Sequence, residues 1–584
     1  MQQISRVYTN IFFLIAIFAL AGIRTPLLAA SPKVTVTSAN PNSAAQGTIS
    51  LSVAVSGSGF NNGAKAQWFE SGTTNPGGVT VNSTIVSSSS LLTANITVSS
   101  IAYVGSFDIV VTNTDGRSGK GTGLFSVTSS GNPQSGGCTT LGTPAGFSLA
   151  SELNYVNASG APQYGPNLGT TVSVRPVVLT AGTESRTVLV AAVGCGTCKS
   201  VEFFLLDPAT GNVLDNTVIV GTSTQPHISV TTSTSGSRAL AAGDVNGDGI
   251  PDFVQGTPSA GVANVFIGSE NSNGILSYSP AITISAPPGS PSKFGYGVAM
   301  GNLDGGSGDD VIVGAIPGGS NQGSGEVFIY RFNGSTFALE GTINDPLASK
   351  KNNDNFGQSV AVGDATGSGS NSLIVGAPDA IVNGVSEAGR VFVFPAPLSS
   401  PSSYFALTGS PVKDQELGWQ VAIGALSSVA ATHVVATTGW QSSSENVSVF
   451  DGPITKNRTS ANSTFQPDQA LSAGWGTNSG VADMNGDGLS DVVVGAPNAS
   501  TPSSCGTSVG AAQLYLSSGS GAWTQYIFQP PTVQTDFMGF GFGVAAVPAV
   551  PAVTGFTPLL VVGENGRDLG GVTGAGQVYV YKQQ

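Results

Sequence analysis

Asp244-Val-Asn246-Gly-Asp248-Gly-Ile250-Pro-Asp252 returns almost unchanged as Asp483-Met-Asn485-Gly-Asp487-Gly-Leu489-Ser-Asp491. Oxygen-bearing side chains stand at the first, third, fifth and ninth positions, and an apolar residue stands at the seventh. A hard cation such as calcium takes about six to eight oxygens, which a tight loop supplies from alternate side chains and a backbone carbonyl. Glycines at the fourth and sixth positions let the chain curl around an ion where a side chain would clash. Ile250 and Leu489 are expected to offer the carbonyl and to point their side chains into a core. Asn-Gly and Asp-Gly also favour plain hairpin turns, but two copies with one spacing favour metal. Both loops are read as Ca2+ sites, with ligands Asp244, Asn246, Asp248, Ile250 and Asp252, and Asp483, Asn485, Asp487, Leu489 and Asp491.

The flanks decide what kind of loop this is. An EF-hand requires a helix on each side. Here the neighbours are Arg238-Ala-Leu-Ala-Ala242 and Phe253-Val254, then Gly480-Val-Ala482 and Val492-Val-Val494. Short apolar, partly β-branched runs bounded by Gly and Pro are strand chemistry. Each loop is therefore predicted to be the tip of a β-hairpin.

The same hairpin recurs in weaker form. Phe294-Gly-Tyr-Gly-Val-Ala-Met-Gly301 aligns with Phe356-Gly-Gln-Ser-Val-Ala-Val-Gly363 and Leu417-Gly-Trp-Gln-Val-Ala-Ile-Gly424. The strands that follow read Val311-Ile-Val-Gly-Ala-Ile-Pro317, Leu373-Ile-Val-Gly-Ala-Pro378 and Val492-Val-Val-Gly-Ala-Pro497. A copy with Thr437 in place of the strand glycine follows Leu417, another joins Phe540-Gly541 to Leu560-Val-Val-Gly563, and a worn first copy runs through Val188–Ala192. The copies recur at a spacing of about 60 residues, as at Phe294, Phe356 and Leu417; self-similarity at a fixed spacing marks a solenoid or propeller, and four short strands per copy make a propeller blade.

These motifs resemble FG-GAP repeats, as in integrin α-subunit propellers and many secreted bacterial proteins. The resemblance covers the chain from about Thr170 onward and implies an all-β, seven-bladed β-propeller over residues 149–584. It implies little about function, because one fold hosts many activities. An integrin-like arrangement would put the metal hairpins opposite the main ligand surface, leaving binding to the loops Gly318–Gly325, Asp379–Ala388 and Asn498–Gly510. A propeller ring must also meet end to end or leave open strand edges, so a strand within Leu149–Val178 is expected to pair with Gln577–Tyr581.

The remaining loops have poorer donor sets. Asn302, Asp304 and Asp310 form a weaker third site, with Gly306 at the fifth position. Asp364 and Thr366 are followed by Ser368 and Ser372, which removes most of the charge. The first, fifth and seventh copies have no carboxylate set.

Upstream, residues 1–30 read as a secretory signal, with Arg6 before the apolar run Ile11–Ile23 and Leu28-Ala-Ala30 at its end. No later stretch is long and apolar enough to span a membrane. Residues 33–128 alternate in runs such as Ile49–Val55 and Phe107–Thr112, as a β-sandwich does. Gly57-Ser-Gly-Phe60, Gly63–Trp68 and Val111–Arg117 resemble TIG-type immunoglobulin-like modules, with Trp68 expected in the core. Residues 129–148 read as a linker rich in Gly, Ser, Asn and Pro.

Composition narrows the function. A formal net charge of −13 and only 9% charged residues exclude nucleic acid as a partner, since phosphate binding needs clustered Lys and Arg. Cys138, Cys195, Cys198 and Cys505 suit an exported protein. Their pairing is not deducible from sequence. Cys195-Gly-Thr-Cys198 is expected in a loop between strands, as a structural staple or plain thiols rather than a redox centre. His227 and His433 are the only histidines, and neither has a companion pattern for acid–base or nucleophilic chemistry. The expected function is a secreted calcium-binding module that binds an extracellular protein or glycan, not an enzyme. A structural surface or matrix protein is the alternative, and a polysaccharide- or lipid-acting enzyme a more distant one.

Overall fold

A computed structural model describes residues 33–45, 51–98, 105–128, 143–144, 146–153, 167–214, 227–318, 324–347, 353–398, 403–409, 411–427, 432–439, 445–466, 474–476, 478–499, 509–517, 523–531, 539–548, 557–568 and 574–584. Among these residues there are strands and turns and no helix. Residues 1–30, read as a signal, most of the segment read as linker, Cys138 and Cys505 lie outside the described residues. The chain divides into two units, Met1–Ser135 and Gly136–Gln584.

In the first unit, two four-stranded sheets enclose one core. One sheet pairs Leu51–Ser58 with Leu91–Val98, and the other pairs Lys65–Glu70 with Gly105–Thr112. Alternation along these strands puts Val53, Val55, Leu92, Ala94 and Ile96 opposite Trp68, Phe107, Ile109, Val111 and Phe125. Trp68 is buried as expected and meets Phe125 edge-on at 6.0 Å. One carboxylate is buried among them. Asp108 accepts from Ser71 Oγ (2.8 Å), Gly72 N–H (3.1 Å) and Gly123 N–H (2.9 Å), and pairs with Lys120 at 2.5 Å. Burial pushes its carboxyl up, but Lys120 and the three donors outweigh that and hold it well below the ordinary carboxylate range.

The second unit is propeller-like, with seven four-stranded antiparallel sheets among the described residues. Their first strands are Leu168–Ala181, Ala239–Gly243, Lys293–Gly301, Ser359–Gly363, Val421–Gly424, Ser479–Ala482 and Phe540–Val547. Each touches the next, and Phe540–Val547 touches Leu168–Ala181, so the sheets return on themselves. The fourth strand of the last sheet comes from the beginning of the unit. Phe147–Leu153 pairs with Gln577–Gln583, joining Leu153 to Val578 and Phe147 to Gln583. This is the end-to-end pairing expected from the edge argument, although the strand starts two residues inside the segment read as linker.

The glycines of the repeat explain how sheets interlock. Gly295, Gly357, Gly418, Gly541 and Gly169 all have φ between 87° and 95°, a left-handed conformation that side chains disfavour. That turn presses the carbonyl oxygen of each one onto a strand glycine of the preceding sheet. Gly256 meets Gly295, Gly314 meets Gly357, Gly376 meets Gly418 and Gly495 meets Gly541. Gly563 of the last sheet meets Gly169 of the first in the same way. A Cβ on any of these strand glycines would overlap the oxygen. In the fifth sheet Thr437 replaces the glycine and its hydroxyl donates to Gly476 O at 3.1 Å. The contact becomes a hydrogen bond instead of a van der Waals fit.

Candidate metal centre

Both nine-residue loops are hairpin tips. Gly243 pairs with Asp252 at the base of one, and Ala482 with Asp491 at the base of the other. Inside the first loop, Asp244 Oδ1 accepts from Gly247 N–H (2.7 Å) and Asp248 N–H (3.1 Å), and its Oδ2 accepts from Gly249 N–H (2.8 Å). Asn246 Oδ1 accepts from Asp248 N–H at 3.1 Å, and Asp248 Oδ1 accepts from Ile250 N–H at 2.8 Å. The second loop repeats this scheme. Asp483 accepts from Gly486 and Gly488 N–H at 2.7 and 2.8 Å, Asn485 from Asp487 N–H at 2.9 Å, and Asp487 from Leu489 N–H at 2.8 Å. The positive φ of Gly247 and Gly249, and of Gly486 and Gly488, turns those N–H groups inward. The loops thus wind around their own carboxylates.

The ninth residues are struts. Asp252 is fully buried and accepts from Val245 N–H (2.8 Å) and Gly268 N–H (2.7 Å). Asp491 is equally buried and accepts from Met484 and Ser517 N–H, both at 2.7 Å. Burial pushes the Asp252 carboxyl up to about 7; the N–H groups of Gly268 and Val245 oppose this, and the charges of Asp248 and Asp244 add to it. Asp491 is raised to about 7 by burial in the same way, with Ser517 and Met484 opposing and Asp487 and Asp483 adding. Three carboxylates in one hairpin tip therefore strain against one another.

The donor chemistry fits a hard divalent cation. Asp244 Oδ1 already accepts two N–H bonds, but the other carboxylate oxygens of the first loop accept one each and keep a second lone pair, and a cation would offset the crowded charge. Among the described residues no three His, Cys, Asp or Glu side chains converge as a ready metal group, with the ninth residue turned to backbone N–H. The seventh residues differ from expectation in one loop. Ile250 is buried under the Gly268–Glu270 and Leu276–Tyr278 hairpin, in one cluster with Leu276 and Tyr278, whereas Leu489 is only half-buried.

The third loop departs from the pattern. Asn302 Oδ1 accepts from Gly305 N–H at 2.6 Å and Asp310 Oδ2 from Leu303 N–H at 3.0 Å. Arg331 pairs with Asp304 and lies 3.5 Å from Asp310. In the fourth loop Asp364 accepts from Ser368 and Gly369 N–H, at 3.1 and 2.7 Å.

A feature missed by the reading of single loops ties neighbours together. The residue at the eighth position clasps the first residue of the preceding hairpin. Asp309 donates its N–H to Asp244 O (2.7 Å) and accepts from Asp244 N–H at Oδ2 (2.9 Å). Asn371 Nδ2 donates to Asn302 O at 2.8 Å, Thr432 Oγ1 donates to Asp364 O, and Ser490 Oγ accepts from Ala425 N–H at 3.1 Å. The signal was a polar eighth residue in four consecutive loops.

At the other end of the same sheets lies an acidic cluster, also missed, because its members sit on separate loops. It contains Asp345, Asp354, Asp379, Glu387, Asp414 and Glu416. Burial pushes Asp379 up to about 7, reinforced by Glu387 and Asp354, and pushes Glu416 up to about 7, reinforced by Asp379, Glu387 and Asp414. Five non-glycine residues here have positive φ, namely Asn355, Asn383, Glu387, Asp414 and Glu416; such conformations cluster at functional sites. Asp379–Ala388 is one of the three loops singled out by sequence. Parts of the other two lie outside the described residues.

Cys195 and Cys198 are bridged between Glu184–Cys195 and Ser200–Leu206. His227 Nε2 lies 2.7 Å from the buried Glu202, and His433 Nε2 lies 3.0 Å from Ser427 Oγ.

The FG-GAP repeat model matches residues 237–277 and 475–515, the two segments that contain the nine-residue loops. The chain therefore carries two FG-GAP repeats in an all-β, propeller-like unit. No curated protein matches it. Among solved structures it is similar to Sqt1 from Chaetomium thermophilum, at 12% identity over 69% of this chain and 83% of that one, with a TM-score of 0.36. It is also similar to an alpha-L-arabinanase from Penicillium chrysogenum complexed with arabinobiose, at 12% identity over 59% of this chain and 92% of that one, with a TM-score of 0.36. Likenesses of this size carry nothing about activity or ligand.

Proposed function

We propose that the chain is a secreted, calcium-binding, seven-bladed FG-GAP propeller with an immunoglobulin-like front domain, acting as an extracellular binding or adhesion module. The observation that carries this reading is the pair of hairpins with one donor set and one internal hydrogen-bond scheme. Asp244, Asn246, Asp248 and Asp252 would hold one ion with the Ile250 carbonyl, and Asp483, Asn485, Asp487 and Asp491 another with the Leu489 carbonyl. Calcium supplies charge neutralisation there and stiffens the hairpin. Supporting the location are the signal-like residues 1–30 and the Cys195–Cys198 bridge, which persists most readily in an oxidising compartment.

The ligand is a protein or glycan. Its proposed surface is the loop end that carries Asp379–Ala388, where clustered carboxylates suit a cationic or hydroxyl-rich partner. Catalysis is not part of the proposal, since His227 is held by Glu202 and His433 is buried beside Ser427. Equilibrium dialysis of the purified protein is expected to give two calcium ions per chain. A glycan array and a pull-down from cell-surface extract test the binder. Zero bound calcium, or turnover in a polysaccharide hydrolysis screen, would overturn the respective half of the reading.

A further inference from the structure

The third hairpin retains oxygen donors at its first, third and ninth positions, Asn302, Asp304 and Asp310, and a cation already reaches the two carboxylates among them. Arg331 pairs with Asp304 through its guanidinium Nη2, and its Nε lies 3.5 Å from Asp310 Oδ1. Strand register explains why only this hairpin is so filled. Arg331 follows Tyr330, which pairs with Val311, and so stands opposite the ninth residue of its loop. At the same place the two full loops have Ile267, following Phe266, and Leu516, following Tyr515. The fifth hairpin inverts the arrangement, with His433 at the ninth position and Asp451 opposite it, 3.5 Å apart.

We infer that Arg331 is a built-in cation that takes the place of calcium in the third hairpin, and that the residue opposite the ninth position selects which hairpins take metal. A guanidinium spans two carboxylates with fixed charge and several donors, so part of the hairpin's negative charge is offset whatever the calcium concentration. Its rigidity matters to the neighbour, because Asp309 of this loop clasps both backbone groups of Asp244. One metal hairpin thus leans on a hairpin that needs no metal. The inference deepens the calcium reading and rests on it for the baseline count.

The test compares calcium uptake by equilibrium dialysis in the full-length protein and three variants. Gly306→Asp restores the fifth-position carboxylate while keeping Arg331; a Cβ there meets only the Asp304 carboxylate, which can turn aside. Gly306→Asp alone should bind no more calcium than the parent. Gly306→Asp with Arg331→Leu should bind one further ion, and with Arg331→Lys should stay at the parent value. Arg331→Gln replaces Arg331→Leu should the latter unfold. An extra ion in Gly306→Asp alone, or none on removing the arginine charge, overturns the inference. A parent that binds no calcium removes the reading of the Asp244 and Asp483 loops, while the increment between variants still decides the role of Arg331.

Discussion

Asp487→Ala and Asp491→Ala should separate metal ligation from loop support, although both remove a carboxylate from the same hairpin. Asp491 is fully buried and takes two N–H groups at 2.7 Å. Removing it deprives Met484 and Ser517 of that acceptor, at about 1–3 kcal/mol for each buried donor left unsatisfied. The expected loss is therefore about 2–6 kcal/mol with or without calcium. Asp487 is exposed and touches only the Leu489 N–H and the Asn485 amide. Its loss also relieves the repulsion that helps push Asp491 up. In chelator Asp487→Ala should therefore differ from the parent by less than about 1 kcal/mol. With free calcium at a hundred times the dissociation constant, the parent gains about 2.7 kcal/mol from that site, and the variant forfeits it. Urea unfolding in chelator and in calcium measures all four quantities. Equal costs of Asp487→Ala in both buffers would refute the metal site. A cost of Asp491→Ala below about 1 kcal/mol in chelator would refute the strut.

Other outcomes follow from the packing and the charges. Gly563→Ala should cost about 1–3 kcal/mol by overpacking, because its Cβ would overlap the Gly169 carbonyl at the meeting of first and last sheets. Gly341→Ala has open space and should be neutral or better; equal melting of both variants would dismiss the interlock. Asp379 and Glu416 have folded values near 7, above their unfolded ones, so they add stability at acid pH that is lost as pH rises through about 7. In saturating calcium, melting temperature should fall between about pH 5 and 8, and Asp379→Asn with Glu416→Gln should flatten that slope. Arg390 and Lys413 nearby stay charged throughout. Asp108→Ala should cost the front unit about 1–3 kcal/mol by taking the shared acceptor from Ser71, Gly72 and Gly123. Because Asp108 is held below its unfolded value, its contribution is present above about pH 4 and fades as pH falls; an acid melt unchanged by Asp108→Asn would contradict this.

The sequence by itself determined whatever is local in the chain. Alternation and turn residues place the strands, the period near Phe-Gly and Gly-Ala-Pro shows the repeat, and the nine-residue spacing marks both hairpin tips, because each depends on neighbours a few residues apart. The start of the closing strand is blurred at Phe147 and Ser148, where linker and strand composition merge. Tertiary structure decided everything that rests on pairing between distant segments. Asp309 reaches Asp244 across 65 residues, and Arg331 reaches Asp310 through strand register. The acidic cluster exists only where Asp354, Asp379, Glu387 and Glu416 are folded onto one end of the sheets. Ile250 and Leu489 occupy the same position in their loops, yet only Ile250 lies under an added hairpin and is buried. A side chain's burial and its charge partners are set by what packs over it, and that is not written in the spacing of its own loop.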